Sequence, residues 1–346
     1  MPESLFRYVT VCLLLLTDQT LLFPQPGADA RLMFYNVENL FDTYDDSLKD
    51  DNEFLPWGAM KWTRTRYVKK LDALYKTIVA AGKDGPPDVI AMCEVENRKV
   101  ISDLVYRTYL SKFPYAVVHE NSPDLRGIDV CLVYRKDRFR LIGYTCWIPS
   151  DTGRGAYTTR SVLYCRLASG DDTIHLVINH WPSRRGGVLA GGEMRERIAH
   201  MVRKKADSIC SSTKGRAKLI IAGDFNCSPG EREIHILADD RRTGVCMENL
   251  SEYLAKKGKG TYRFQGIWEM IDQVIVSCSL TRADSGFYTG QKLLRVFDPE
   301  FLLRKDPKYP GYAPFPTYTG FRYQGGYSDH LPVLLDLCFR PRTQRE

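Results

Sequence analysis

Two polar side chains follow an apolar run in the segment Leu219–Gly230, which has the sequence LIIAGDFNCSPG. The run Leu219–Ala222 is typical of a strand buried on both faces, and Gly223 allows the backbone to turn after it. Asp224 and Asn226 are therefore predicted to lie at the mouth of a buried strand, where α/β proteins place much of their chemistry. An Asp-x-Asn pair at a strand end also forms ordinary turns, so this segment alone leaves both interpretations open.

Several other apolar runs end on polar residues of the same chemical kind. These are Asn36 and Glu38 in FYNVEN, Glu94 and Glu96 in AMCEVEN, His180 in INHWPSRRGG, Asp272 in MIDQVIVS, and Asp329 and His330 in YSDHLPV. Carboxylates with a few amides and imidazoles form a hard-oxygen site that suits Mg²⁺, with Mn²⁺ as a substitute. The sequence has no cysteine pair in CxxC spacing, which argues against a zinc site.

The elements that must position these residues are strands and helices in mixed order. Apolar residues at helical spacing predict a helix over 63–82, and further helices are predicted over 98–111 and near 192–210. Mainly strands are predicted between 115 and 179, too many for one parallel sheet, and no linker divides the chain. The predicted fold is one α/β domain over residues 31–341, a four-layer sandwich of two packed mixed β-sheets with helices on the outer faces.

The first thirty residues have the three-part pattern of a secretory signal peptide. Arg7 precedes the apolar run YVTVCLLLL, and the small residues ADA follow at 28–30. The run is too short to span a membrane comfortably and no later segment approaches a span, so we expect no stable membrane insertion. A signal peptide over 1–30 predicts an exported protein, periplasmic or extracellular; the alternative is a buried N-terminal strand or helix.

The net charge and the cysteine content limit the classes of partner and the disulfide patterns that we expect for the chain. Removal of residues 1–30 takes away one arginine and three acidic residues, which raises the net charge from +7 to +9. This balance favours anionic partners such as nucleic acid, although surface solubility alone would also explain it. Nine cysteines then remain, so at least one is unpaired in any disulfide pattern. We expect a monomer.

Two unusual segments allow more than one interpretation. The acidic stretch 42–53 does not have the ligand spacing of an EF-hand, so a solvated charged loop is favoured over a calcium site. Residues 291–323 are rich in proline, aromatic residues and cations. Such a segment could stack bases and attract phosphates, or it could simply cover a sheet edge, and the sequence favours neither.

The motifs and their order resemble the endonuclease/exonuclease/phosphatase superfamily, over about residues 31–338. GDFN and SDHLPV are the strongest matches, and NVEN, the first acid of CEVEN and RGIDVCLVYR support them. The stretch FDTYDDSLKDDNEFLPWGAMKWTRTRY resembles secreted bacterial members in particular. The resemblance implies a sandwich of two sheets with a metal-dependent site at one edge.

The resemblance also implies which residues hold the metal and the phosphate. Glu94 would be the principal metal ligand and Asp329 a second one. Asn36 would contact the metal-bound phosphate, and Asn226 and Arg160 would bind phosphate oxygens. Relatives often have Asp at the position of Glu38. For Glu38 itself, the role of an ordinary loop carboxylate is favoured over that of a ligand to a second metal ion.

The remaining implied roles are those of acid–base catalysts. Asp272 would orient His330 and stabilise its imidazolium. Asp224 would position or deprotonate the attacking water. His180 would contact the scissile phosphate or serve as an acid. A histidine held in one tautomer by a carboxylate moves protons efficiently near neutral pH.

These residues predict a secreted Mg²⁺-dependent phosphodiesterase, most simply a nuclease that hydrolyses DNA or RNA. A phosphomonoesterase, or a phospholipid or inositol-phosphate hydrolase, would have almost the same site, because the metal chemistry does not select the leaving group. No exposed apolar hairpin of the kind found in membrane-acting relatives is evident in the sequence. A third hypothesis is a nucleic-acid-binding protein that has lost catalysis.

Overall fold

The computed structural model describes residues 29–151, 155–156, 159–184, 188–238 and 244–341. The predicted signal peptide at 1–30 lies outside these ranges except for its last two residues, and Ala30 already begins the first strand. The helices are α1 Arg64–Ala80, α2 Arg98–Tyr106, α3 Val188–Ser212, α4 Arg232–Ala238, α5 Ser251–Lys256 and α6 Cys278–Thr281. The strands are β1 Ala30–Leu40, β2 Val89–Val95, β3 Tyr115–His119, β4 Asp129–Arg135, β5 Arg140–Trp147, β6 Ser150–Asp151, β7 Gly155–Ala156, β8 Val162–Ser169, β9 Asp172–His180, β10 Lys218–Asp224, β11 Met247–Asn249, β12 Tyr262–Phe264, β13 Ile267–Glu269, β14 Asp272–Ser277, β15 Gly286–Tyr288, β16 Leu294–Val296, β17 Leu303–Lys305, β18 Tyr312–Pro314, β19 Tyr318–Thr319, β20 Arg322–Tyr323 and β21 Val333–Arg340.

Two mixed sheets form the centre of the molecule. The first has seven strands in the order β15-β21-β1-β2-β4-β3, with β16 also paired to β21. The second has six strands in the order β11-β14-β10-β9-β8-β5. The pairs β1–β2 and β9–β10 are parallel, so the ends of these four strands that carry the predicted site residues lie at corresponding edges of their sheets.

Successive side chains of the strands point alternately to the space between the two sheets and to the helices outside them. This alternation gives a four-layer sandwich. In β1, Leu32 and Phe34 join an apolar cluster between the sheets, whereas Met33 and Tyr35 pack against α1 and α2. β10 alternates in the same way, and its outward side chains pack against α3 and α4. Each fully buried side chain of this size contributes about 1.5–3 kcal/mol relative to exposure. The predicted architecture, two packed sheets with helices on the outer faces, is confirmed.

The predicted helix over 98–111 is two elements rather than one. Arg107 leaves helical geometry with φ −113°, so α2 ends there. The Thr108 hydroxyl then accepts a hydrogen bond from the Leu110 amide at 3.2 Å and begins a short 3₁₀ turn, Tyr109–Lys112. A threonine that caps a new turn competes with continuation of the helix, which apolar spacing alone does not show.

The proline-rich segment 291–323 covers a sheet edge and also leaves aromatic side chains in solvent. β16 pairs antiparallel with β21, and Leu294 and Val296 belong to the core between the sheets. In the same segment Phe301, Tyr312 and Phe321 are exposed. The covering role is therefore observed, and it does not exclude contacts of the exposed rings with a ligand.

One disulfide joins Cys246 to Cys278 at the end of β14, and the other described cysteines are free thiols. The bond links the loop before β11 to the start of α6. Among the described residues, no helix is both long enough and apolar enough to cross a membrane.

Candidate active site

Strand register aligns three of the predicted residues in one row across the second sheet. Asp224 at the end of β10 pairs with His180 of β9 on one side and with Asp272 of β14 on the other. Directly paired residues project from the same face of a sheet, so their side chains are neighbours. All three are at least nine-tenths buried.

Asn36 connects this row to the first sheet. Its side-chain amide donates to Glu94 Oε1 at 3.1 Å and to Asp224 Oδ2 at 3.0 Å. Glu94 has φ 62° and interrupts the pairing of β2 with β4, so the strand bulges where this carboxylate turns toward the other sheet. The amide of Asn39 donates to Glu94 Oε2 at 3.0 Å. Both N–H groups of Asn36 thus hold carboxylates together.

His330, Asp272 and Thr261 form a hydrogen-bonded chain. His330 Nδ1 lies 2.7 Å from Asp272 Oδ2, and the Thr261 hydroxyl donates to the same oxygen at 2.5 Å. Burial alone would lower the pKa of His330, but the negative charges of Asp272 and Asp329 raise it well above the ordinary value. His330 is therefore an imidazolium near neutral pH, with Nε2 at 3.9 Å from Asp224 Oδ2.

His180 has the opposite protonation state. Its Nε2 lies 3.7 Å from Glu94 Oε1 and 3.8 Å from Asp224 Oδ2, and its Nδ1 is buried without a hydrogen-bond partner. Burial, together with the positive charge of Arg160, lowers the pKa of His180 well below the ordinary value. The two histidines of the site therefore differ in charge because only His330 has a dedicated carboxylate partner.

Asp224 and Asn226 form the turn that the sequence suggested. Asp224 Oδ1 accepts the Asn226 backbone N–H at 2.9 Å, and Asn226 has the left-handed conformation with φ 50°. The Asn226 side-chain amide donates to the Trp181 carbonyl at 3.1 Å. Burial and the negative charge of Asp272 raise the pKa of Asp224 to about 7. The turn and the site interpretation of this segment are thus compatible.

The donor set fits a divalent cation. Single ligand atoms of Glu94, His180 and Asp224 lie within 4.8 Å of one another, as do those of Asp224, Asp272 and His330. The carboxylates of Glu94 and Asp224 converge on one amide, so the site holds buried negative charge that a hard cation would neutralise. Asp329 Oδ1 lies 4.0 Å from His330 Nε2 and faces the same cavity.

A cavity of about 390 Å³ opens over these residues. Asp224, Glu94, His180, Asn226, Arg160 and Asp329 line it, together with Arg126, Arg184, Tyr262, Phe264 and Ile271. Six of the nine residues predicted from the sequence line this cavity, and Asn36 is hydrogen-bonded to two of these six. The remaining two are bonded to each other, with His330 Nε2 3.9 Å from Asp224. A larger cavity of about 660 Å³ lies at the other end of β1, where its charged groups pair with each other, as Arg31 does with Asp336.

Three residues of the site were not predicted. Thr261 holds Asp272, and the ring of Tyr262 lies over that of His330 with centroids 4.9 Å apart. Both belong to a stretch without a motif, so the sequence contains no signal for them. Arg126 belongs to the motif RGIDV but was not singled out; it lines the cavity and donates to Asn39 Oδ1 at 2.9 Å.

Glu38 is not a cavity residue. Its carboxylate accepts the backbone N–H groups of Thr317 at 2.6 Å and Tyr318 at 2.8 Å. The acidic stretch 42–53 is only partly solvated, because Asp42 and Asp51 are buried. Among the described residues, none of its acids belongs to a group of three convergent ligands.

Comparison with known proteins identifies the family of the chain. The model of the Endonuclease/Exonuclease/phosphatase family matches residues 31–338. The chain belongs to the Endonuclease/Exonuclease/phosphatase family. The predicted enzyme class, a metal-dependent phosphoric ester hydrolase, is thereby confirmed. No curated protein is detectably similar to the chain in sequence.

Solved structures of the family share its fold at low identity. A humanised D. rerio TDP2 superposes with a TM-score of 0.54 at 13% identity, covering 89% of this chain and 98% of that one. A mannosyl-6-phosphatase of Bacteroides thetaiotaomicron superposes with a TM-score of 0.55 at 14% identity, covering 90% of this chain and 100% of that one. At this identity the likeness establishes the fold and leaves the substrate open.

Proposed function

We propose that this family member is an exported Mg²⁺-dependent phosphodiesterase that hydrolyses nucleic acid. The observation that carries the proposal is the lining of the cavity. Arg126, Arg160 and Arg184 add three guanidinium groups to a site that already contains a charged imidazole. The carboxylates of Glu94, Asp224, Glu269 and Asp329 line the same cavity, and a bound cation would offset part of their negative charge. Guanidinium groups beside that cation suit a substrate whose negative charge continues beyond one phosphate group.

The acid–base roles follow from the protonation states. Asp224, with a pKa of about 7, is suited to accept a proton from water, and its orientation is fixed by the amides of Asn36 and Asn226. His330 carries the transferable proton and can stabilise or protonate the leaving oxygen, while Asp272 holds its tautomer. His180, being neutral, is suited to hydrogen-bond a phosphate oxygen rather than to act as the acid.

Glu94, with Asp224 or Asp329, would hold the cation. When bound, a divalent ion neutralises charge on the phosphate and makes its phosphorus more electrophilic. Burial works to raise the pKa of Glu94, but Arg126 and the Asn36 amide lower it below the ordinary value, so the carboxylate stays ionised as a ligand must.

Export is part of the same proposal. The N-terminal pattern of residues 1–30 supports it, and the Cys246–Cys278 disulfide is typical of an oxidising compartment. The family resemblance to secreted bacterial members is consistent with it.

The test is a substrate screen with the protein lacking residues 1–29 and with its Glu94→Gln variant. Plasmid DNA, RNA, bis(p-nitrophenyl) phosphate and p-nitrophenyl phosphate are each offered with Mg²⁺, Mn²⁺ or EDTA. Metal-dependent cleavage of nucleic acid and the diester, absent in Glu94→Gln, is expected. Preference for the monoester would instead identify a phosphomonoesterase, and retention of DNA without turnover on any substrate would identify a binding protein.

A further inference from the structure

Two of the arginines that line the active-site cavity contact one carboxylate behind its wall. Asp124 is only 7% exposed and is not among the described residues that line the cavity. Its Oδ1 accepts the backbone N–H of Arg126 at 3.0 Å, and its Oδ2 lies 3.3 Å from Nε of Arg160. The acid–base and metal roles derived above do not use this carboxylate.

The contact of Asp124 with Arg126 is local and fixes the backbone before β4. A side-chain oxygen that accepts the N–H two residues further on closes a tight turn. The N–H of Gly127 donates to the Asp124 carbonyl at 3.2 Å, so the chain turns back toward β4 at this point. The Arg126 guanidinium then reaches Asn39 Oδ1 at 2.9 Å, beside the backbone N–H that holds Glu94. The turn therefore determines where the Arg126 side chain enters the cavity.

The contact of Asp124 with Arg160 is long-range and depends on charge. Both side chains are about nine-tenths buried, and Arg160 Nε has no aligned hydrogen-bond acceptor among the described residues. The attraction between opposite charges, rather than a directional hydrogen bond, therefore holds the pair. Arg160 Nη1 donates to the Trp181 carbonyl at 3.5 Å, and the same carbonyl accepts the side-chain amide of Asn226. Asp124 is thus linked through Arg160 to a predicted phosphate-binding residue.

Arg160 needs a counter-ion outside the cavity because of the other charges that the cavity contains. It lines the same cavity as Glu94 and Asp224, which are predicted to hold the cation and the attacking water. A long guanidinium side chain that is free to move pairs readily with a carboxylate. Such a pair would occupy the carboxylates that the cation requires. Asp124 neutralises Arg160 from behind and leaves the remaining N–H groups of the guanidinium available to a phosphate.

The loop that carries Asp124 is itself fixed from the outside. Lys49 Nζ donates to the carbonyls of Ser122 at 2.9 Å and of Asp124 at 2.8 Å. The backbone N–H of Asp50 donates to the Leu125 carbonyl at 2.7 Å. The carboxylate is therefore in place before a substrate binds, so that little conformational entropy is lost when the arginines contact a phosphate.

We propose that Asp124 is a positioning residue that holds Arg160, and with it Arg126, in place to bind the phosphate of the substrate. This inference rests on the proposed function and adds to its site a residue that contacts neither substrate nor cation. The sign of the effect distinguishes positioning from simple electrostatics. A negative charge near an anion site weakens anion binding, so its removal alone would strengthen the binding of phosphate. Loss of positioning has the opposite result, because a displaced arginine binds phosphate less well.

The experiment introduces Asp124→Asn and Asp124→Ala into the wild-type protein and into Arg160→Ala. Asparagine keeps the acceptor for the Arg126 N–H and removes the charge that holds Arg160, whereas alanine removes both. Asp124→Asn should lower kcat/KM for bis(p-nitrophenyl) phosphate about tenfold in the wild type, the lower end of what hydrogen bonds to charged groups contribute. In Arg160→Ala the same change should lower it less than about twofold, and Asp124→Ala about threefold or more through Arg126. Asp171→Asn, an exposed acid in the turn between β8 and β9, is the control and should have no effect.

Calorimetric titration with inorganic phosphate in the presence of Mg²⁺ tests the same point without turnover. Asp124→Asn should raise the dissociation constant of phosphate about tenfold although it removes a negative charge. Circular dichroism shows whether each variant is folded, and the nearly isosteric Asp124→Asn provides the test if Asp124→Ala does not fold.

The outcomes separate this inference from the proposed function. Equal losses of kcat/KM in the wild-type and Arg160→Ala backgrounds would show a merely structural role for Asp124 and overturn the inference. Unchanged or tighter phosphate binding in Asp124→Asn, or no phosphate binding by the wild-type protein, would overturn it as well. Weaker phosphate binding in Asp124→Asn, in a protein that hydrolyses no phosphodiester, would refute the proposed function and support the positioning role.

Discussion

The imidazole Nδ1 of His330 lies 2.7 Å from Oδ2 of Asp272, although the two residues come from different sheets. Asp272 begins β14 of the second sheet, and His330 precedes β21 of the first. The acid–imidazole pair therefore exists only when both sheets are packed against each other, which couples its geometry to the core between them.

Removal of the Asp272 charge should lower the pKa of His330. Asp272→Asn takes away the charge and the hydrogen-bond acceptor that raise the pKa of His330. Burial, which lowers this pKa, would then be the larger influence. We expect the His330 NMR titration to move below its wild-type position and turnover to fall about a hundredfold or more. The exposed Asp284→Asn is the matched control and should change neither quantity. An unchanged His330 titration in Asp272→Asn would contradict the pairing.

The titration of Asp224 should make the metal-free protein less stable as the pH rises from about 4 to 7. The pKa of Asp224 is about 7 in the folded state against 3.8 as a free side chain, so the folded state binds more protons in this window. Asp224→Asn removes this loss. Its melting temperature should exceed that of the wild type by roughly 2–6 °C at pH 8 and not at pH 4. A variant that is less stable than the wild type at pH 8 with EDTA would refute this account.

Glu94 should be needed for the stabilisation that a divalent ion provides. Added Mg²⁺ should raise the wild-type melting temperature, because a ligand that binds only the folded state stabilises it by mass action. Glu94→Gln should abolish this rise without unfolding the protein. Glu53→Gln, an exposed acid, should preserve it. Equal Mg²⁺ responses of the two variants would remove Glu94 from the ligand set.

Lys70 has a charged side chain that is buried, and it should nevertheless be needed for the stability of the folded protein. It is 2% exposed, and its Nζ donates to the Thr317 hydroxyl at 2.5 Å and the Tyr327 carbonyl at 2.6 Å. Burial lowers its pKa to about 8 and raises that of nearby Glu38 to about 7. Lys70→Met should lower the free energy of unfolding by about 3–5 kcal/mol, since it leaves a buried carboxylate without its cation.

The neighbouring Lys69 provides the control for this prediction because it is exposed on the same helix. Lys69→Met should change the free energy of unfolding by no more than about 0.5 kcal/mol in urea titrations. Adding Glu38→Gln to Lys70→Met should restore part of the loss. A double variant whose loss of stability relative to the wild type equals the sum of the two single losses would show that the two groups do not interact.

The Cys246–Cys278 bond should be detected in protein purified from an oxidising compartment. Non-reducing digestion and mass spectrometry should give one linked peptide pair and seven free thiols among the described cysteines. The bond closes a loop with a sequence separation of 32 residues, so its reduction should cost about 3–4 kcal/mol on the loop-entropy model. Recovery of both cysteines as free thiols would contradict this pairing.

The sequence by itself determined the fold class and the chemistry of the site. Continuous apolar runs identify buried strands such as β10, and their polar ends identify Asp224 and Asn226, because burial and strand termination are local properties of the chain. The motif order then indicated the family, the family model matches over 31–338, and the two-sheet sandwich was confirmed.

The tertiary structure alone decided how these residues meet. The row of His180, Asp224 and Asp272 depends on strand register, the Asn36 bridge depends on the packing of two sheets, and the buried Lys70 depends on a partner 247 positions away. Phe264 likewise belongs to a hairpin that no apolar pattern marked, because its two short strands are supported by Arg263 and distant carbonyls. Periodicity reports which face of an element is buried, whereas register, sheet packing and polar anchoring are set by contacts between residues far apart in the chain.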